Sequence, residues 1–170
     1  MKIAVLGAGA MGMLFGGYLS RRNEVYLVEV NEDRVRFINE NGLRVREKDG
    51  TDGRFFPRAV SKTEGLGPVD LIIVFVKAMF TVDALSNNRS LIGPDTYIMT
   101  LQNGAGHEEK LLQFADEDHV VIGSTKHASC ILEEGKVFHS GIGQTIIGLV
   151  SGSRGSEWIA EELTECGFPC

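Results

Sequence analysis

The sequence predicts an α/β protein built on a doubly wound, mostly parallel sheet. Three observations predict it. Short apolar strands alternate with helical stretches over the first 125 or so residues. One of them, "VDLIIVFVKA" from Val69 to Ala78, is almost unbroken apolar sequence, the mark of a parallel strand buried on both faces. A G-x-G-x-x-G pattern falls where the first strand should pass into the first helix.

Taken in order, "KIAVL" (2–6) is a short apolar strand, followed by "GAGAMG" and a helical stretch to about Arg22. "EVYLVEV" (24–30) alternates and reads as a second strand. Asn31 is a good N-cap for a helix running to Asn41, which Gly42 ends. In "LRVREKDGTDGRFFPRAV" (43–60), Asp49-Gly50 and Asp52-Gly53 sit between apolar-rich flanks, a hairpin signal hanging off the main sheet. After the apolar run come a helix near 80–91, a turn at Gly93-Pro94-Asp95 and the strand "TYIMTLQNG" (96–104). A helical stretch over 106–115 and the strand "HVVIGST" (119–125) follow. From about 126 the pattern changes. "KHASCILEEGKVFHSGIGQTIIGLV" shows short strands separated by Glu134-Gly135 and Ser140-Gly141, a late antiparallel β-meander expected on one sheet edge. A last helix, 154–166, precedes "GFPC". No internal repeat or linker interrupts the chain, which reads as one domain over residues 1–170.

Bulk properties narrow the function. The 170 residues are 43% hydrophobic and 24% charged, ordinary for a globular domain. A net charge of −6 with no basic cluster argues against nucleic acid and membrane surfaces as partners. No run of 18 apolar residues offers a membrane span. The apolar start is broken by glycines and lacks a basic leader, so no signal peptide is read. Cys130, Cys166 and Cys170, odd in number and without metal-ligand spacing, read as free thiols in a reducing compartment, and a cytoplasmic location is expected. Cys130 is expected in the core, and Trp158 is expected to anchor the last helix to the sheet.

The glycine pattern carries chemistry. Gly7 permits a tight turn, Gly9 lets the backbone approach a pyrophosphate, and Gly12 allows close helix–strand packing. Phosphates would rest on the free backbone N–H groups at the positive end of the helix, along Gly7, Ala8, Gly9, Ala10, Met11 and Gly12. A dinucleotide site also needs a ribose acceptor about 20 residues on. Glu29 stands at the end of the second strand, 20 residues past Gly9. Its carboxylate would take both ribose hydroxyls and repel a 2′-phosphate. Arg34 and Arg36 on the next helix read as solvated charges.

Ligands in open α/β sheets bind outside the carboxyl ends of the strands. Lys77 sits at such an end, and so does Gln102-Asn103-Gly104. Both should face the crevice holding the dinucleotide, where anions and water keep the lysine charged. The Asn103 amide, donor and acceptor at once, can bridge a nicotinamide ribose and a carbonyl substrate. His107, His119, His127 and His139 are scattered without metal-ligand spacing and read as structural, with His127 the nearest to a motif.

With "KIAVLGAGAMG", "VKA", "QNGAG" and "GSTKHA" followed by the meander with His139 and Gly148, the whole chain resembles the ketopantoate reductase (2-dehydropantoate 2-reductase) family. The resemblance implies reduction of the 2-keto group of ketopantoate by a nicotinamide cofactor, usually NADPH, on the route to coenzyme A. It implies cofactor contacts by Gly7 to Gly12, Lys77 and Ser129, and contact of Asn103 with both cofactor and substrate. The sequence departs from the family in two places. Glu29-Val30 stands where the family often carries Gly-Arg to grip a 2′-phosphate, which favours NAD over NADP. The family's helical second domain, with its catalytic lysine and carboxylate, has no counterpart before Cys170, so no catalytic residue is assigned among these 170. A cofactor half with little turnover of its own is the expectation, and self-association into a homodimer through the crevice face goes with it. A stand-alone dinucleotide sensor, or the cofactor half of another 2-keto acid dehydrogenase, fits the same residues.

Overall fold

A computed structural model describes residues 1–152 and 155–170. Its centre is a seven-stranded sheet in the order β11-β8-β7-β6-β1-β2-β5. Here β1 is Lys2–Leu6, β2 Glu24–Val28, β5 Arg58–Val60, β6 Leu71–Val74, β7 Tyr97–Thr100, β8 Val120–Thr125 and β11 Thr145–Leu149. Every pairing is parallel except β11 on β8, which runs antiparallel at one edge. The strand order reverses on either side of β1, the topological switch point at which such sheets bind ligands. All four residues of β6 are buried, as its unbroken apolar run requires.

The expected hairpin forms, β3 (Leu43–Arg46) against β4 (Asp52–Phe55), but it does not hang from the main sheet. It joins β10 (Lys136–Gly141) and β9 (Ala128–Glu133) in a second sheet, β4-β3-β10-β9. The late meander is therefore split: β9 and β10 build the second sheet, and only β11 extends the first. Alternation within each short strand marks it as half-buried, while the choice of sheet depends on partners some 90 residues away in sequence.

Helix α1 (Ala10–Leu19) lies between the two sheets, its residues Gly12 to Leu19 all buried. A helix apolar all round is a core helix. One core joins α1, one face of the main sheet, and Leu43, Val45, Phe55 and Val137 of the second sheet. It also takes Ile159 and Leu163 of α5 (Glu157–Glu165) and the tail residue Phe168. Phe168 is fully buried and stacks on Phe15 with ring centroids 3.8 Å apart. The opposite face of the sheet holds a second core, centred on Leu85, Leu91 and Leu111.

Several expectations shift in detail. Helix α2 (Glu32–Asn41) keeps its bounds: Asn31 accepts from the Asp33 and Arg34 amides, and Gly42, at φ +72°, closes it. The helix near 80–91 is broken into a 3-10 turn (Ala78–Phe80), α3 (Thr81–Asn87) and a second 3-10 turn (Arg89–Leu91). The stretch 106–115 yields only α4 (His107–Leu111). Helix α5 starts at Glu157, and the expected start at 154 lies outside the described residues. Cys130 is exposed rather than in the core, because it stands on β9, most of whose side chains face outward. Cys166 is the buried thiol, pushed up to about 12 by burial and its hydrogen bond to Glu162. Trp158 packs edge-on against Tyr97, yet Ile159, Leu163 and Phe168 carry the burial that fixes this end of the chain. No helix among the described residues is long and apolar enough to cross a membrane.

Candidate active site

Two adjoining cavities open along the carboxyl ends of the parallel strands, sharing Gly9, Phe75, Val76 and Lys77 in their walls. One, of about 660 Å³, reaches from the glycine loop to Glu29, Val30 and Arg34, with Lys62, Phe80 and Asn87 among its walls. The other, of about 510 Å³, runs from Gly9, Ala10 and Met11 past Lys77 to Asn103, Thr125, His127 and Ser129. Each volume suits a small-molecule site, and together they suit an elongated ligand lying across the sheet end.

The loop between β1 and α1 is shaped by three constraints. Gly7 has φ +101°, and a Cβ there would sit 3.1 Å from the Val76 amide. A Cβ on Gly12 would lie 1.8 Å from the Gly7 carbonyl oxygen, so no side chain fits. Gly12 lines neither cavity, and its part is packing. Gly9 differs from both. It has an ordinary φ of −74°, and nothing lies within 4 Å of a Cβ built there. The space above Gly9 is open although both cavities converge on it, which leaves room for a group resting on backbone. As N-cap of α1 it also heads a helix whose first N–H groups lack intrahelical acceptors. That combination fits a pyrophosphate.

Glu29 stands one residue past β2, tied to both loops beside it. Its carboxylate accepts from the Ala8 amide at 3.3 Å and from the Asn31 amide at 3.0 Å. Arg34, read from sequence as a solvated charge, instead lies 3.6 Å from Glu29 and donates to Glu134 at 2.7 Å. The Glu134 hydrogen bond raises its pKa further, so it is a fixed cation in the cavity wall. Helical periodicity alone could not tell a solvated arginine from one bridging two acids.

At the other end, Lys77 follows β6 in extended conformation and is exposed. Among the described residues its ammonium has no ion-pair partner. Asn103 is exposed at the end of β7. Lys77 and Asn103 wall the same cavity, and Gln102, flagged only as part of a motif, ties their strands together. Its amide nitrogen donates to the Val76 carbonyl, and its oxygen accepts from Thr100 at 2.9 Å and Thr81 at 3.3 Å. His107 adds a second clamp, with Nε2 2.9 Å from the Asn103 carbonyl. Ser129 joins the same wall, its buried Oγ without a hydrogen-bond partner among the described residues.

Behind this cavity runs a buried polar chain that no sequence pattern announced. His127 Nδ1 meets His139 Nε2 at 2.9 Å, and His139 Nδ1 meets the Glu47 carboxylate at 3.0 Å. The Tyr18 hydroxyl donates to the same carboxylate. His139 and Glu47 are 92 positions apart in sequence. Burial first, and His139 second, hold His127 below the usual histidine range.

Comparison with known proteins places this geometry in context. Residues 3–152 match the family model described as "Ketopantoate reductase PanE/ApbA". The chain is 34% identical over 165 residues to the 2-dehydropantoate 2-reductase of Pyrococcus horikoshii, covering 97% of this chain and 52% of that protein. Among solved structures, D-mandelate dehydrogenase with NADH and anilino(oxo)acetate superposes with a TM-score of 0.90 at 34% identity, over 99% of this chain and 55% of that one. The 2-dehydropantoate 2-reductase of Geobacter metallireducens gives 0.90 at 29% identity, over 100% and 57%. The chain thus spans about half the length of the curated relatives it matches.

Proposed function

The chain belongs to the ketopantoate reductase family, and from that premise we propose that it holds a nicotinamide dinucleotide for reduction of a 2-keto acid. The observation that carries this reading is the open space over Gly9 at the meeting of two strand-end cavities. The loop Gly7, Ala8, Gly9, Ala10, Met11 and Gly12 is the pyrophosphate seat, with Gly12 contributing by packing. Glu29 takes the adenosine ribose at one end. Lys77, Asn103 and Ser129 attend the nicotinamide end, and Asn103 also meets the substrate carbonyl. A bound nicotinamide supplies the hydride. The residues of this chain bind and orient it, and Lys77 adds positive charge where a keto-acid carboxylate would enter.

NAD is favoured over NADP. Glu29 keeps its carboxylate at the ribose position, where a 2′-phosphate would meet like charge. The neighbour holding NADH supports this choice. Ketopantoate is the first substrate to test, since relatives carry its name, and an aryl 2-keto acid is the second, since D-mandelate dehydrogenase is an equally near structural neighbour.

Turnover by these 170 residues alone is expected to be low, because general acid–base catalysis contributes roughly 10²–10⁴-fold and none of their side chains is proposed for that role. Cofactor oxidation should be followed with ketopantoate and with benzoylformate, using the 170-residue chain alone. Dinucleotide binding with turnover at least about a hundredfold below a full-length relative is expected. Full-rate reduction by the chain alone would overturn this division of labour.

A further inference from the structure

The chain carries no basic run, yet the second sheet assembles a row of cations from segments far apart in sequence. On its outer face Arg54 of β4 stands opposite Arg44 of β3, Arg44 beside Lys136 of β10, and Lys136 opposite Glu133 of β9. Like charges directly across a sheet repel. In a chain of net charge −6, three in register need a reason. The row is also short of anions. Asp52 serves three cations at once: it accepts from Arg44 at 3.1 Å and from Arg46, and lies 3.7 Å from Lys136 Nζ. One oxygen of Glu133 stands 3.5 Å from Lys136 Nζ and 4.0 Å from Arg44. Arg54 has no acid partner among the described residues. Lys136 is the sharpest case. It is only 9% exposed, and among the described residues its ammonium donates no hydrogen bond, both acids lying outside hydrogen-bond geometry. A buried charge is unfavourable unless it is paired and hydrogen-bonded.

The Lys136 ammonium and the Arg44 guanidinium share the same two carboxylates, which fixes where both heads lie. Arg44, Arg54 and Lys136 wall a cavity of about 410 Å³, with Phe37 and Asn41 beside them. It has no lining residue in common with the two strand-end cavities. Glu133 and Glu134 line it too, and Glu134 is held by Arg34 at 2.7 Å. The Glu133 side chain is 61% exposed and hydrogen-bonded to neither cation, so it covers them loosely. We propose that this cavity is an anion site for a phosphate-type dianion, free or at the end of a phosphorylated metabolite, gripped by Arg44, Arg54 and Lys136, with Glu133 as the internal rival that it displaces. Guanidinium forks and a point-charge ammonium are the usual phosphate ligands. A dianion gives Lys136 the hydrogen bonds it lacks and Arg54 a partner. The site lies apart from the glycine loop, and the inference does not depend on the dinucleotide reading.

Inorganic phosphate titrated into the nitrogen-15-labelled chain, at an ionic strength held constant with chloride, reads the two sites apart. Amide shifts at Gly42, Arg44 and Gly135 report this cavity, and shifts at Gly7 to Met11 report the glycine loop. The expected result is a saturable change in the first group. Lys136→Met should weaken it about tenfold, and Arg54→Ala, at an exposed position that the fold does not need, about threefold. Glu133→Gln should tighten it by at least about threefold. Glu108→Gln, which removes the same charge from an exposed position on α4, should change it less. Glycerol phosphate separates the two sources: tighter binding than inorganic phosphate assigns the site to a phosphorylated metabolite, and equal or weaker binding assigns it to free phosphate. No saturable shift at this cavity with either ligand, or equal affinity in wild type, Arg54→Ala and Glu133→Gln, would overturn the inference.

Discussion

Glu29 is the side chain on which the proposed choice between two cofactors turns. Its carboxylate already serves the apoprotein, accepting from the Ala8 and Asn31 amides and so joining the glycine loop to the start of α2. Arg34 sits 3.6 Å away, paired also with Glu134, and is not free to turn toward a phosphate without leaving two acids. Titration calorimetry should therefore find NADH tighter than NADPH by at least about tenfold, or about 1.4 kcal/mol. Glu29→Ala should shrink that gap, since it removes the like charge and leaves Arg34 one acid fewer. Tighter binding of NADPH by the unmodified chain would show that Arg34, not Glu29, governs the choice.

Strands and turns were legible from sequence where a local pattern sufficed. The β6 run is apolar because both its faces are covered, and "VLGAGAMG" turns tightly because Gly7 and Gly12 have no room for a Cβ. The two strand ends that meet at the cavity were legible for the same reason. What holds them together was not. Gln102 reads as one letter of a motif, yet its amide ties the end of β7 to the Val76 carbonyl past β6 and to Thr81 of α3, and its oxygen also accepts from Thr100 of its own strand. The split of the meander and the pairing of His139 with Glu47 were also hidden, because both rest on contacts between segments far apart in the chain. Gln102→Ala should leave the Val76 carbonyl without its donor and lower stability by about 1–3 kcal/mol. In thermal unfolding that is a fall of several degrees, with weaker NADH binding beside it. An unchanged melting temperature together with unchanged affinity would mean the strand ends hold their places without it.

For the whole molecule, the second sheet and the tail do the work of closure. Helix α1 is apolar on all sides, so the main sheet alone would leave half of it in water. The second sheet covers one side, and α5 with the tail covers the rest. Phe168 is the closing side chain: fully buried, stacked on Phe15, and followed by Pro169, whose carbonyl accepts from the Thr145 amide at 2.7 Å. Phe168→Ala should destabilise the chain by about 3–5 kcal/mol, the usual range for emptying a buried aromatic site. Chemical denaturation measures it, and a loss below about 1 kcal/mol would show that the tail lies on a core already closed without it.

The central claim is that the strand-end crevice holds a dinucleotide whose phosphates rest on the glycine loop, and Gly9 isolates it. Its φ is ordinary and, beyond its own chain neighbours, no atom of the described residues lies within 4 Å of an added Cβ, so Gly9→Ala costs the fold almost nothing. The added methyl would occupy the space the phosphates need. The decisive measurement is a calorimetric titration of NADH into the wild-type chain and into Gly9→Ala, with melting temperatures taken in parallel. The expected result is saturable one-to-one binding by the wild type, a loss of at least about tenfold in the variant, and melting temperatures that agree within a degree or two. Equal affinity in the two chains, or no binding by the wild type, would contradict it.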